Sequence, residues 1–373
     1  MSAQRGVQAS AAADDLRFME LALSLGRRGF GRTWPNPAVG ALIVKDGVIV
    51  GRGWTQPGGR PHAEVEALRR AGPAARGATL YVTLEPCSHF GKSPPCADAV
   101  IAAGIARVVS AIEDPNPEVA GQGHTRLRAA GIAVDVGIGA DEARHDHAGH
   151  ISRVTRGRPY VMLKLAISAD GKVGAAERRP VAITGDAVRD RVHLLRAQND
   201  AIMIGIGTAL ADDPMLTCRL PGMAKDSPVR IVADSMLRLP LNSRLVKSAY
   251  ETPVWAIAGM SAPQDAEFQL LPLGVEVLRS PDSTGSLDLK DALGFLSAKG
   301  VTRLMVEGGP TLAAALIKAD LIDEAVLFHS DKIVGADGIE ALDADALAML
   351  KQRLKLIATE SVGPDRQETY ERR

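Results

Sequence analysis

Four side chains suited to metal-assisted hydrolysis fall within 35 positions. His62-Ala63-Glu64 opens a helical stretch, Pro86-Cys87 places a thiol 23 residues after Glu64, and Cys96 follows nine residues later. Zn2+ accepts imidazole and thiolate ligands, and a catalytic zinc keeps its fourth tetrahedral position open for water. Bound zinc lowers the pKa of that water until hydroxide is available near neutral pH. Glu64 stands two residues from a ligand. Its carboxylate can therefore reach the water without binding the metal, take a proton and hand it to departing ammonia. His62, Cys87 and Cys96 are the candidate zinc ligands, and Glu64 is the candidate catalytic acid–base. Each piece alone is weak, since a solitary His-x-Glu is usually a surface accident and two cysteines this far apart are a poor metal signal. Pro86 before Cys87 and Pro94-Pro95 before Cys96 give the set its weight. A structural zinc would close with a fourth protein ligand, where this set supplies three ligands and a placed acid.

The second half carries a different chemistry. VMLKLAISADGKV (161–173) puts Lys164, Ser168 and Asp170 on and just after a strand. LLRAQNDAIMIGIGTALADDPMLTCR (194–219) runs from helix to strand to a Gly-rich loop ending in two aspartates. MVEGGPTLAAALI (305–317) sets a glycine pair at a strand-to-helix turn. Glycine lets backbone approach a ligand, and a helix N-terminus offers free N–H groups to phosphate. The GGPT turn is not the G-x-G-x-x-G fingerprint, and most Gly-Gly turns are simply turns.

These residues need a scaffold. Periodicity predicts a helix over 15–29, then a strand pair, 38–45 and 47–52, around Asp46-Gly47. A helix over 62–71, a strand over 78–83, a helix over 96–103, a strand over 106–112, a helix ending at 127–130 and a strand over 132–136 follow. This β-β-α-β-α-β order gives a helix-flanked sheet. Residues 141–158, polar and basic with glycines at 149 and 157, read as the junction between domains. Strands are then expected at 160–167, 201–206, 229–233, 254–258, 275–278, 304–306 and 325–328, with helices at 186–198, 289–299 and 311–319. Strands alternating with helices argue a mostly parallel sheet. The charged tail from Gly363 is expected to fray.

Composition narrows the function classes. The 373 residues suit two domains. Lys+Arg and Asp+Glu both number 44, so there is no basic excess of the kind nucleic-acid binders carry. Aromatics are 3%, so the cores must be aliphatic. No signal-peptide pattern opens the chain and no apolar run reaches the roughly 18–20 residues of a membrane span. A cytoplasmic protein with no membrane partner is expected. In a reducing compartment the three Cys are metal ligands or inert thiols rather than disulfides, and Cys218 reads as a buried inert thiol.

The segments TWPNPAVGALIV, HAE, EPCSHFGKSPPC and DPNPEVAGQG (114–123) resemble the deaminase half of the bacterial bifunctional riboflavin-biosynthesis family. The general zinc-deaminase pattern is H-x-E then P-C-x-x-C, and the spacer SHFGKSPP is longer than that. The resemblance implies zinc on His62, Cys87 and Cys96, proton transfer by Glu64, and Asn36 facing the substrate ring. His89 and Lys92, between the cysteines, are either solvated loop residues or substrate contacts. The three segments of the second half, in order, resemble the reductase half of the same family. That implies NADPH bound by Thr208, Asp212, Ser235 and the turn Gly309, Pro310, Thr311, Leu312, Ala313, Ala314 and Ala315. It also implies substrate contact by Arg196, Leu216, Arg219 and Glu307. Two arginines suit a substrate phosphate, although each alone is more often a solvated surface residue. One departure stands out: where the family often shows Trp before Ile-Thr, this chain has Ala182, and the stretch 175–179 is altered and shortened.

The fold class so implied is α/β throughout: an N-terminal cytidine-deaminase-like three-layer domain (1–148) and a C-terminal dihydrofolate-reductase-like domain (149–373). The expected activity is hydrolytic deamination of 2,5-diamino-6-ribosylamino-4(3H)-pyrimidinone 5′-phosphate with water activated at Zn2+. NADPH then reduces the ribosyl group to a ribityl chain. The expected partner is this small phosphorylated pyrimidine, and a homo-oligomer is expected. Alternatives are a working deaminase beside a decayed reductase, motivated by Ala182, a nucleic-acid-editing zinc deaminase, and a zinc-stabilised binding module without catalysis.

Overall fold

The computed structural model describes residues 2–91, 93–179, 181–283 and 286–372, so Lys92 lies outside the described residues. The chain divides into two compact units, residues 1–156 and 157–373.

The first unit is built on a five-stranded sheet in the order Val48–Trp54, Gly40–Lys45, Thr79–Val82, Arg107–Ser110, Ala133–Val136. Strand Gly40–Lys45 is antiparallel to both of its neighbours, and the last three strands run parallel. The hairpin turns at Asp46 and Gly47, both at positive φ (51° and 76°), as a type I′ turn requires. Helix Ser2–Gly26 begins earlier than the periodicity suggested and ends in the 3-10 turn Arg27–Gly29.

Helix Ala63–Ala71 has Glu64 and Glu66 in its first turn, where the helix dipole favours anions, and stops at Gly72. It packs directly on strand Val48–Trp54. A Cβ at Gly53 would stand 2.0 Å from the Ala63 carbonyl oxygen, so only bare backbone lets the start of this helix lie so close to the sheet. Met19, Leu42, Ile43, Leu80 and Leu127 are fully enclosed in the core of this unit.

The expected junction, residues 141–158, contains the division between the units but is mostly helical. It forms helices Ala140–Asp146 and Ala148–Arg156, and the division of the chain falls at Arg156/Gly157 rather than at the 148/149 expected. Ala143 is fully buried, and Arg27 pairs with both Glu142 and Asp146.

The second unit holds a nine-stranded sheet. Its order is Val275–Ser280, Val254–Gly259, Val229–Ala233, Ala201–Gly205, Arg303–Glu307, Tyr160–Ile167, Glu324–His329, Asp365–Glu371, Lys355–Val362. The first seven strands pair in parallel and the last two are antiparallel. Strand Arg303–Glu307 is inserted between two strands from much earlier in the chain, which makes a switch in strand order beside Ala201–Gly205. In open α/β sheets ligands bind outside the carboxyl ends of strands at such a switch.

Two expectations fail here. The tail beyond Gly363 does not fray: strand Asp365–Glu371 pairs on both sides within the sheet. Its inward side chains include Asp365, Gln367 and Thr369, polar residues that give no apolar alternation. The supposed Gly-rich loop after Ala201–Gly205 is helix Ile206–Asp212. Among the described residues no helix is long and apolar enough to cross a membrane.

Candidate functional site

In the first unit the start of helix Ala63–Ala71 and the start of helix Cys96–Ala102 face the turn that carries Cys87. His62 Nδ1 lies 3.2 Å from Cys96 Sγ and 3.7 Å from Cys87 Sγ. One donor atom from each of the three residues falls within 4.8 Å of the others. An imidazole nitrogen and two sulfurs at this separation form a donor set that fits zinc. The Cys96 N–H donates to Cys87 Sγ at 3.2 Å. A bond from Cys96, with His62 adding to it, holds the Cys87 thiol down at about 4. The contact with Cys87, together with burial, pushes the Cys96 thiol up. Glu64 is 3% exposed, and burial raises its carboxyl to about 7.

Asn36 does not stand free. Its amide donates to the Gly59 carbonyl at 2.8 Å, which ties it to the turn leading into His62. The spacer between the cysteines is anchored to that turn by a hydrogen bond from Arg60 to Ser93. His89 is exposed on the spacer.

Sequence reasoning missed Glu85. This acid is 5% exposed and sits two residues before Cys87. Its Oε2 accepts from the Asp114 and Gly121 N–H groups (3.0 and 2.9 Å), and its Oε1 from those of Gly123 and His124 (2.7 and 3.2 Å). Four amides on one carboxylate clamp the loop from Asp114 to the start of helix Gln122–Ala129 against the Cys87 turn. The signal was available, because an acid at the end of the apolar run TLYVTL needs a partner when buried. Glu85, Glu113 and His124 also cluster closely enough to suggest a second cation site. The four amides already occupy Glu85, which gives it a structural task.

In the second unit the carboxyl ends of the strands open on a cavity of about 850 Å³. Thr208, Asp212 and Ser235 line it, as do Gly309, Pro310, Thr311, Leu312 and Ala315 of the turn. Ala313 and Ala314 do not. Ala313 is fully buried on the core side of helix Pro310–Lys318, because successive helical residues cannot all face one cavity. Gly308 and Gly309 both have positive φ, and a Cβ on Gly309 would come within 2.9 Å of Thr208 Oγ1. The turn is thus a cradle that a side chain would fill, beside a helix start with unpaired N–H groups. Proline at the first helical position suits this start. The cradle fits a dinucleotide phosphate.

Arg196, Leu216, Arg219 and Glu307 all reach the cavity. Arg196 is not free to grip phosphate with its whole fork. Its Nε and Nη2 donate to the two Glu307 oxygens, each at 2.9 Å, and its Nη1 donates to the Thr217 carbonyl. Lys164 Nζ stands 3.4 Å from Glu307 Oε1. Burial acts to raise the Glu307 carboxyl, but Lys164 and Arg196 overcome it and hold the group at about 2. Arg219 has no side-chain partner among the described residues. Burial first, then Arg196 and Arg244 nearby, depress its pKa. Of the two arginines, Arg219 is the one whose charge is available to an anion. Ser168 and Asp170 do not line the cavity. Ser168 Oγ donates to Asp170, which also accepts from the Val334 and Gly335 N–H groups. Ala182 lines the cavity in place of the expected aromatic, and its carbonyl accepts from Lys332 Nζ at 2.8 Å. Cys218 is 1% exposed and lies in this unit, as an inert thiol would.

Residues 12–112 match the family described as cytidine and deoxycytidylate deaminase zinc-binding region, and residues 159–367 match the RibD C-terminal domain. The riboflavin biosynthesis protein RibD of Escherichia coli is 43% identical over 94% of this chain and 97% of its own length. RibD of Aquifex aeolicus is 42% identical, covering 94% of this chain and 96% of its own. The solved structure of Acinetobacter baumannii RibD superposes with a TM-score of 0.86 at 37% identity, over 97% of this chain and 99% of that one. The diaminohydroxyphosphoribosylaminopyrimidine deaminase/5-amino-6-(5-phosphoribosylamino)uracil reductase of Thermotoga maritima gives 0.83 at 32% identity, over 97% and 100%. Likeness over nearly the whole chain favours neither a nucleic-acid-editing enzyme nor a deaminase with a decayed partner.

Proposed function

Because the chain belongs to the RibD family, whose members join a deaminase to a reductase in riboflavin biosynthesis, we propose that its first unit is a zinc-dependent hydrolytic deaminase. We propose that its second unit is an NADPH-dependent reductase acting on the product. The substrate of the first is 2,5-diamino-6-ribosylamino-4(3H)-pyrimidinone 5′-phosphate. The observation that carries this reading is the convergence of His62, Cys87 and Cys96 on one point, with the buried Glu64 beside them.

A zinc ion held by His62, Cys87 and Cys96 would supply a Lewis acid that makes water nucleophilic near neutral pH. Glu64 takes the proton from the attacking water and passes it to the amine that leaves as ammonia. Its burial keeps the carboxyl near the range in which it can both accept and donate. The Glu85 clasp and the Arg60–Ser93 tether fix the turns on either side of the ligands.

NADPH, which the Gly308–Gly309 turn and Thr208 would hold, would supply hydride to C1′ of the ribosyl group. The C1′–O4′ bond breaks in that step, and O4′ needs a proton. Lys164, which lines the cavity from within strand Tyr160–Ile167, is the acid placed to give it. Glu307 and Arg196 hold Lys164 in position, and Arg219 presents a positive charge to the substrate phosphate.

Treating the purified protein with a zinc chelator should abolish ammonia release, and adding one equivalent of Zn2+ should restore it. Reduction of the deaminated intermediate by NADPH should persist through both treatments. Ammonia release that survives complete removal of metal would refute the zinc assignment.

A further inference from the structure

The cofactor reading leaves open how the protein would tell NADPH from NADH, and the cavity's far end carries an answer. The carboxyl ends of four adjacent strands line up along the crevice in the order Val229–Ala233, Ala201–Gly205, Arg303–Glu307, Tyr160–Ile167. Neighbouring strands are about 4.8 Å apart, so the outer two are separated by roughly 14 Å. Lys164 lies on the outer strand of this row, Tyr160–Ile167, with Glu307 on the strand beside it. The Gly308–Gly309 turn and Thr208 stand in the middle, where a pyrophosphate would lie. Ser235 and Arg238 follow strand Val229–Ala233 on the opposite side, and both line the cavity. A dinucleotide with its reactive ring near Lys164 and its phosphates on the glycine turn must place its adenosine at Ser235 and Arg238.

Arg238 is held there by design of the local chain. Asp234 is fully buried, and its Oδ2 accepts the Leu239 N–H at 2.9 Å. Its Oδ1 accepts from Arg238 Nε at 3.2 Å. The guanidinium is thereby fixed by one edge, while the side chain remains 54% exposed at the cavity margin. In dinucleotide sites a free carboxylate at a strand end accepts the ribose 2′-hydroxyl and favours NADH, whereas an arginine accommodates the 2′-phosphate. Here the strand-end carboxylate, Asp234, is enclosed and already committed. What reaches the cavity at this end is the cation. The other carboxylates lining the cavity are Asp212, at the end of helix Ile206–Asp212, and Glu307, at the end of strand Arg303–Glu307.

We infer that Arg238, oriented by Asp234, binds the 2′-phosphate of the dinucleotide and sets the preference for NADPH over NADH. The inference rests on the NADPH-dependent reading of the second unit. It differs from the assignment of Ser235, which the family resemblance alone supplies.

The test measures dissociation constants of the full-length protein by calorimetry for NADPH, NADH, adenosine 2′,5′-bisphosphate and AMP. The last two probes lack the nicotinamide and report on the adenosine end alone. A charge-assisted hydrogen bond contributes about 1.5–3 kcal/mol, so Arg238→Gln should weaken NADPH and the bisphosphate about 10- to 100-fold. NADH and AMP should stay within about twofold of their original affinity, and Arg238→Lys should recover part of the loss. Equal weakening of all four probes would mean that Arg238 only braces the Asp234 turn, and no weakening would mean that the phosphate lies elsewhere. Either result overturns the inference while leaving the cofactor reading in place. Failure of the unaltered protein to bind either dinucleotide would remove the cofactor reading itself, and this inference with it.

Discussion

Glu64→Gln should retain its zinc and lose about 10²- to 10⁴-fold in the rate of ammonia release, the range a positioned acid–base contributes. Glutamine has the shape of glutamate and keeps a carbonyl oxygen at the same place. It cannot accept a proton at working pH. The side chain is 3% exposed, so no bulk water replaces its function. His62, Cys87 and Cys96 still supply the metal donors, and helix Ala63–Ala71 keeps its packing on Gly53. The measurement is ammonia release together with zinc content per chain. A variant that loses its zinc would make Glu64 a structural support for the ligands. A variant that keeps both zinc and activity would remove it from the chemistry.

The second large effect is expected at Glu307→Gln. Removing this charge leaves Lys164 and Arg196 facing each other with their shared carboxylate gone. Breaking a buried pair in this way costs about 3–5 kcal/mol. The lower end applies, because the Glu307 side chain keeps 16% of its surface exposed. At about 2–4 °C per kcal/mol for a domain of this size, the second unit should melt roughly 6–12 °C lower. NADPH oxidation should fall with it, since Lys164 loses the group that orients it. The pH dependence has a definite sign. The folded carboxyl is held at about 2 against an ordinary value of 4.5. Its stabilising contribution is therefore complete above pH 4.5 and is lost as the pH falls from 4.5 towards 2. Calorimetry of the variant at neutral pH checks the main claim, and a melting temperature within about 2 °C of the original would show that the triad carries little of the unit's stability.

Much of the first site was legible because its chemistry is compressed into short segments. His62, Glu64, Cys87 and Cys96 announce themselves by residue type and spacing, and the Asp46-Gly47 hairpin by its turn dipeptide. The parallel strands of the second unit were legible as apolar runs between helical periods. What stayed hidden was hidden for physical reasons. Glu85 acts through four backbone amides that no side-chain pattern reveals. Strand Asp365–Glu371 buries polar side chains, so its alternation is invisible to a hydrophobic count. Helices Ala140–Asp146 and Ala148–Arg156 are rich in charge and bury few apolar side chains, so their sequence reads as a junction rather than as helix. The resemblance gave Arg196 and Glu307 to the substrate and charge gave Arg196 to its phosphate, but only the fold brings Glu307 against Arg196 from 111 residues away. Ala313 and Ala314 were carried along with a contiguous motif, although a helix turns successive residues away from any one cavity.

The most direct test of the central claim follows both half-reactions at once on the purified, zinc-loaded chain. The diaminopyrimidine ribosyl phosphate and NADPH are supplied together, and ammonia release and the loss of NADPH absorbance are recorded in the same sample. Both signals are expected, with NADPH loss lagging behind ammonia and vanishing when Glu64→Gln blocks deamination. NADPH loss that proceeds at full rate in that variant would contradict the proposed order, and ammonia without any NADPH loss would contradict the assignment of the second unit.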